Sequence, residues 1–137
     1  MTRIDFYQIT DSRLSEDALV CKLCQKAYES QQKLLLLTRS EQHSQHLDKL
    51  LWTQDDESFI PHDLQEEEGF ISPILINHEA DPRGERQLLI NLSNEIPLFF
   101  AQFERVLELV TDDNKTQART HYSYYKERGY PLNHHTL

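Results

Sequence analysis

Apolar and polar positions change period several times along this chain, and each change marks an element. In residues 3–9, Ile4 and Phe6 alternate with polar neighbours, followed by Tyr7 or Ile9, and a period of two predicts a strand. Residues 15–30 recur every fourth position through Leu19, Leu23 and Ala27. Ser15 can cap this segment and Glu16 and Asp17 suit its positive end, so a helix is predicted. Residues 34–38 are a short apolar run, as in a strand buried on both faces. Residues 40–52 return to helical spacing, with Ser40 as cap and Leu47, Leu50 and Leu51 inward. The glutamate-rich stretch 63–70 reads as a loop. Residues 73–77 and 87–92 read as strands, separated by a polar turn that holds Asp81, Pro82 and Gly84.

Pro97 suits the first position of a short helix whose apolar face is Phe99, Phe100 and Phe103. Val106, Glu108 and Val110 then alternate with Leu107 and Leu109, predicting another strand over 106–110. Thr111 or Asp112 caps a final helix over 113–128. Gly129 can end it in a left-handed conformation and Pro131 prevents its continuation. Early strand–helix–strand–helix alternation implies parallel pairing with helices on the sheet faces. The expectation is one α/β domain over residues 1–137. It has three α/β/α layers around a mostly parallel sheet of about five strands. There is no internal repeat or linker.

The longest apolar run, residues 34–37, falls far short of the roughly 20 residues needed to span a bilayer, and the N-terminus lacks a signal-peptide core. The chain is therefore expected to be soluble and cytoplasmic. Its net charge of −9 argues against general affinity for nucleic-acid phosphates. The charge is uneven. Beyond residue 114, Lys115, Arg119, Lys126 and Arg128 face a single acid, Glu127, so a basic end sits on an acidic body.

Folds of this class often bind nucleotides through close backbone approach to phosphate, which needs glycine. Only Gly69, Gly84 and Gly129 are present, and none forms a Gly-x-Gly-x-x-Gly or Gly-x4-Gly-Lys-Ser/Thr loop. A Gly-x-Ser-x-Gly elbow is also missing. Glu66–Glu68 read as a solvated acidic run. His62, without a nucleophile or orienting partner, reads as a surface or capping residue. Cys21 and Cys24 share their spacing with His43 and His46, which imitates a zinc tetrad. Both pairs fall in predicted helices, and helix-surface or core cysteines with solvated histidines are the better reading. Nothing supports catalysis, a metal or a cofactor.

Two features remain for recognition. At about 100° per residue, Lys115, Arg119, Tyr122 and Lys126 share one sector of the last helix, while Ala118 and Tyr125 lie to one side and can face the sheet. Two ammonium groups, a guanidinium fork and an aromatic plane suit an acidic peptide ending in a hydrophobic residue with a free α-carboxylate. The second feature is Trp52, which closes an amphipathic stretch. The acids Asp55, Asp56 and Glu57 follow, and then Phe59 and Ile60 are held extended by Pro61. These aromatics are either core or an exposed anchor.

The order and spacing of several segments resemble the chi subunit family of bacterial DNA polymerase III, over nearly the whole chain from Phe6-Tyr7 to Leu132. The most specific pieces are Leu47-Asp48-x-x-Leu51-Trp52 and Ser58-Phe59-Ile60-Pro61-His62. Supporting pieces are Pro73-Ile74-Leu75-Ile76, Leu89-Ile90-Asn91-Leu92, Ala118-Arg119-x-x-Tyr122-x-x-Tyr125 and Gly129-Tyr130-x-Leu132. The resemblance implies an α/β fold like nucleotide-binding domains but without their activity, in a non-catalytic accessory subunit of the clamp-loader assembly in the bacterial replisome. It implies the psi subunit as one partner and the acidic C-terminal tail of single-stranded-DNA-binding protein as another. By the family's pattern the tail residues are Lys115, Arg119 and Tyr122. Ser123 stands where the family often has a basic residue, with Lys126 as a compensating charge. The psi-facing surface maps to Trp52, Phe59 and Ile60, where a helicase-like protein is an overlapping partner. Phe59 and an edge of Trp52 are then expected to be partly exposed. Two other readings stay open beside this one. One is direct binding of single-stranded DNA through Tyr122, Tyr124, Tyr125 and the basic cluster. The other is a small nucleotide hydrolase, which the missing glycines disfavour.

Overall fold

The computed structural model describes residues 1–11, 13–53, 62–63, 73–78 and 87–136. Strand β1 (Arg3–Gln8) is followed by helix α1 (Glu16–Glu29), β2 (Leu34–Leu37) and helix α2 (Glu41–Thr53). Next come β3 (His62–Asp63), β4 (Ile74–Asn77), β5 (Leu88–Asn91), a single 3-10 turn (Phe100–Gln102), β6 (Arg105–Val110), helix α3 (Lys115–Glu127) and β7 (Leu132–Thr136). Among the described residues these strands form one sheet in the order β3-β4-β2-β5-β6-β1-β7. Every pairing is parallel.

The leucine run explains the centre of the sheet. A strand buried on both faces carries apolar side chains in both directions. Leu34 and Leu36 accordingly pack under α1 and α2 with Ile74, Ile76 and Ile90. Leu35 and Leu37 pack on the opposite side with Ile4, Phe6, Leu89, Val106 and Tyr125. The three-layer expectation therefore holds, with α1 and α2 on one face and α3 with the Phe100 turn on the other. Caps were readable where a side chain satisfies the first free amides. The Ser15 hydroxyl accepts from the Ala18 amide at 3.1 Å and the Ser40 hydroxyl from the His43 amide at 3.1 Å. Gly129 takes the left-handed conformation, φ 78°, at the end of α3.

Four expectations need correction. The sheet has seven strands rather than about five, because β3 and β7 add at its two edges. His62 and Asp63 accordingly lie in a strand, while the rest of the predicted loop 63–70 lies outside the described residues. The helix opened by Pro97 shrinks to one 3-10 turn, since Phe100 and Phe103 are drawn into the core while Leu98 stays in solvent. Neither Thr111 nor Asp112 caps α3. Asn114 occupies that position, and its side chain serves the preceding turn instead.

Candidate functional site

Helix α3 is positioned from both ends. At its start, Asn114 Oδ1 accepts from the Thr111 amide at 2.8 Å and its Nδ2 donates to the Leu109 carbonyl at 2.9 Å, which locks the turn out of β6. At its end, the Gly129 amide donates to Lys126 O and the Tyr130 amide to Tyr125 O. Between them the helix turns Tyr125 and His121 to the sheet, both buried, with Ala118 half-buried beside them. The Tyr125 ring meets Phe100 edge-on at 5.2 Å and Phe6 at 6.2 Å, the geometry aromatic quadrupoles favour.

The neighbouring, outward sector carries the basic stripe. Lys115, Arg119, Tyr122 and Lys126 are all exposed on α3. Tyr122 is 38 % exposed and leans edge-on against Phe6 at 5.4 Å, so its ring is braced on one side and open on the other. Lys115 lies 3.1 Å from Asp112, an exposed pair that costs a ligand little to displace. Among the described residues Arg119 and Lys126 enter no ion pair. The four side chains thus form a solvent-facing row about 16 Å long, from 1.5 Å of rise per residue. Such a row can take several carboxylates along an extended segment and one apolar side chain against Tyr122. Ser123 is exposed next to it. Arg128 lies outside the row, with its guanidinium 3.5 Å over the Tyr124 ring.

Beneath the helix lies a polar network that the sequence reading did not assemble. Glu108 Oε1 is 2.7 Å from His121 Nδ1, and Asn91 Nδ2 donates to both carboxylate oxygens at 3.1 and 3.2 Å. Asn91 is held in turn by Glu95 O and by Ser93, whose amide and hydroxyl both donate to Asn91 Oδ1. Burial raises the Glu108 pKa, and the hydrogen bonds from His121 and Asn91 offset this only in part. For His121 burial acts downward, but the Glu108 carboxylate outweighs it and the pKa is raised. The network forms one wall of a polar cavity of about 340 Å³ at the carboxyl ends of β5 and β6, which Arg39, Asn114 and Gln117 also line. Part of the signal lay in the sequence, in the inward positions of two members, though not in their meeting. Glu108 alternates with Val106 and Val110, and His121 falls between Ala118 and Tyr125 on the sheet-facing side.

Other predicted residues fall as follows. Trp52 is 52 % exposed at the end of α2. Phe59, Ile60, the acids Asp55, Asp56 and Glu57, and the run Glu66–Glu68 lie outside the described residues. Cys21 and Cys24 are buried on the core-facing side of α1, where burial pushes the Cys21 thiol up to about 11. His46 meets Asp17 at 2.8 Å, and His43 Nδ1 accepts from the Arg39 amide at 3.2 Å. The stacking groove of the DNA-binding alternative is corrected. Tyr125 is fully buried and a Tyr124 face is taken by Arg128, so of these three tyrosines Tyr122 alone offers an open ring. No helix among the described residues is long and apolar enough to cross a membrane.

Comparison with known proteins adds an independent line. Residues 1–133 match the family model described as DNA polymerase III chi subunit, HolC. The chain is 39% identical over 140 residues to DNA polymerase III subunit chi of Pseudomonas aeruginosa, covering 100% of this chain and 98% of that one. It is 33% identical over 132 residues to the protein of that name from Haemophilus influenzae, covering 93% and 92% of the two chains. With the one from Escherichia coli it shares 28% over 127 residues, 90% and 86%.

Proposed function

The chain belongs to the DNA polymerase III chi subunit family, and from that membership we propose that it is a non-catalytic bridge in DNA replication. In this reading α3 captures the acidic C-terminal tail of single-stranded-DNA-binding protein, and the surface around Trp52, Phe59 and Ile60 joins the psi subunit of the clamp loader. The observation that carries the tail site is the exposed row of Lys115, Arg119, Tyr122 and Lys126 on a chain whose net charge is −9. Arg119 grips the α-carboxylate or an aspartate in two parallel hydrogen bonds, which its planar fork suits. Tyr122, braced by Phe6, packs the terminal apolar side chain. Lys115 and Lys126 add longer-range attraction that salt weakens. The half-exposed Trp52 supports the psi contact, because a partly exposed large aromatic ring is the kind of anchor that interfaces bury. Trp52 at the end of α2 and the basic row on α3 stand on different helices, which suits two separate contacts.

A charge-assisted hydrogen bond contributes roughly 1.5–3 kcal/mol. At 1.4 kcal/mol per decade, Arg119→Ala should weaken a labelled tail peptide by about tenfold to a hundredfold. Fluorescence anisotropy measures this, and equal affinities for both proteins remove Arg119 from the site. The same variant should still co-purify with psi, because its defect is confined to α3.

A further inference from the structure

All-parallel sheets ordinarily have both faces covered. Here, among the described residues, two helices close the α1 side of a sheet seven strands wide. A groove of about 370 Å³ remains where α1 parts from β1, β5 and β6, within the size range of ligand pockets. Its floor is apolar, formed by Leu88 and Leu107, and Leu14 and Leu23 stand half-buried on its walls.

The rim has one sign of charge. Lys22 and Lys26 reach it from α1 and Arg105 from β6, and among the described residues no carboxylate lines it, on a chain with 23 acidic and 14 basic residues. Lys22 and Lys26 stand one turn apart, a like-charge spacing that works against the helix. Neither enters an ion pair among the described residues. Arg105 is fixed in place. Its Nε bonds Asp5, and its Nη2 donates to the Tyr7 hydroxyl at 2.7 Å. Tyr7 is stacked on His135 at 4.8 Å. The buried Asp5 carboxylate offsets part of the Arg105 charge and is also met by Arg3, so Lys22 and Lys26 carry most of the positive rim.

We propose that this groove docks an acidic segment of a partner protein that presents one Leu- or Phe-sized side chain. The side chain fills the Leu88–Leu107 floor, and flanking carboxylates meet Lys22, Lys26 and Arg105. The groove lies on the sheet face opposite α3, so it can be occupied together with the tail site. It needs no free α-carboxylate, because its cations surround an open trough rather than a closed end.

The test is a methyl and amide NMR titration of the whole chain with an N-acetylated, C-amidated octapeptide of Asp and Glu around one central Leu. Saturable shifts of the Leu14, Leu23 and Leu107 methyls are expected. Binding should weaken at least tenfold in Lys22→Glu/Lys26→Glu, and at least tenfold when Ser replaces the central Leu. It should be unchanged in Arg119→Ala. Lys22→Gln/Lys26→Gln should weaken binding in the same direction and covers the case in which charge reversal unfolds α1. Shifts confined to α3, or none up to millimolar peptide, overturn the proposal. So do groove shifts that grow with protein concentration alone, which mark a second copy as the occupant. A free-carboxylate tail peptide that still depends on Arg119 in those cases leaves the α3 reading standing.

Discussion

Helices α2 and α3 are each 13 residues long and lie on opposite faces of the same parallel sheet, yet they are seated by different physics. Helix α2 buries Leu47 and Leu51 among aliphatic side chains, and its single buried polar residue, Ser44, is matched by Thr38 at 2.6 Å. Helix α3 buries no aliphatic residue of its own. Its buried side chains are Tyr125, set edge-on among Phe6 and Phe100, and His121, bonded to the Glu108 carboxylate. Aliphatic packing is non-directional and tolerates small rotations, whereas a ring quadrupole and a buried hydrogen bond fix an angle. The helix that carries the exposed basic row is thus held about its own axis by an aromatic seat and an ionisable pair, where α2 has a single hydroxyl pair. Arg119 and Tyr122 point where they do because His121 and Tyr125 cannot turn.

The difference should be visible first in stability. Leu47→Ala, at a site with no exposure, removes packing that only aliphatic neighbours supply and should cost about 2–5 kcal/mol. Denaturant titration should return the same loss at pH 6 and pH 9. His121→Gln keeps a donor for Glu108 but removes the titrating ring, and should cost about 1–3 kcal/mol at pH 6. That loss should shrink as pH rises. The folded pKa of His121 lies above its ordinary 6.5, so the folded state holds this proton more tightly than the unfolded chain. The stabilisation is fully present below pH 6.5 and disappears as pH climbs through the raised value. The raised Glu108 pKa acts with the same sign from its ordinary 4.5 upward. A His121→Gln loss that stays constant from pH 6 to pH 9 contradicts a charged pair under α3.

The same contrast decides how much could be read from the residues alone. Interior strands and α2 were legible because burial on one or both faces writes a period into the sequence, as in the leucines of β2. Strand β7 was not. Asn133, His134, His135 and Thr136 are exposed and carry no alternation, and β7 forms because β1 offers an open edge for it to pair with. Pro97 and three phenylalanines imitated a helix, but Phe100 and Phe103 reach the core from a single turn. The outward row on α3 was legible from helical spacing. The network beneath it needed Asn91, Glu108 and His121 to meet from three separate segments, and spacing within one segment cannot report that.

The smallest expected effect is also the sharpest probe of α3. The Tyr125 hydroxyl is the only buried side-chain polar atom among the described residues that lacks a hydrogen-bond partner. It nevertheless lies within weak hydrogen-bonding reach of the Glu108 carboxylate, which after burial helps raise the hydroxyl's pKa while the hydroxyl helps lower that of Glu108. A buried hydroxyl whose hydrogen bond is poorly formed costs stability, and removing it relieves that cost. Tyr125→Phe keeps the ring that packs on Phe6 and Phe100, so it should leave stability unchanged or raise it by up to about 1 kcal/mol. Tail-peptide affinity should not move, because the helix keeps its angle. A loss of more than about 1 kcal/mol would instead mean that the hydroxyl donates to Glu108 in solution. The carboxylate would then have three donors, His121, Asn91 and Tyr125, and the pH dependence assigned to His121 would be smaller. Thermal melts of the single variants and of Tyr125→Phe/His121→Gln separate the two cases. Additive effects keep the tyrosine in the aromatic seat alone, and a coupling of 0.5 kcal/mol or more places it in the ionisable network.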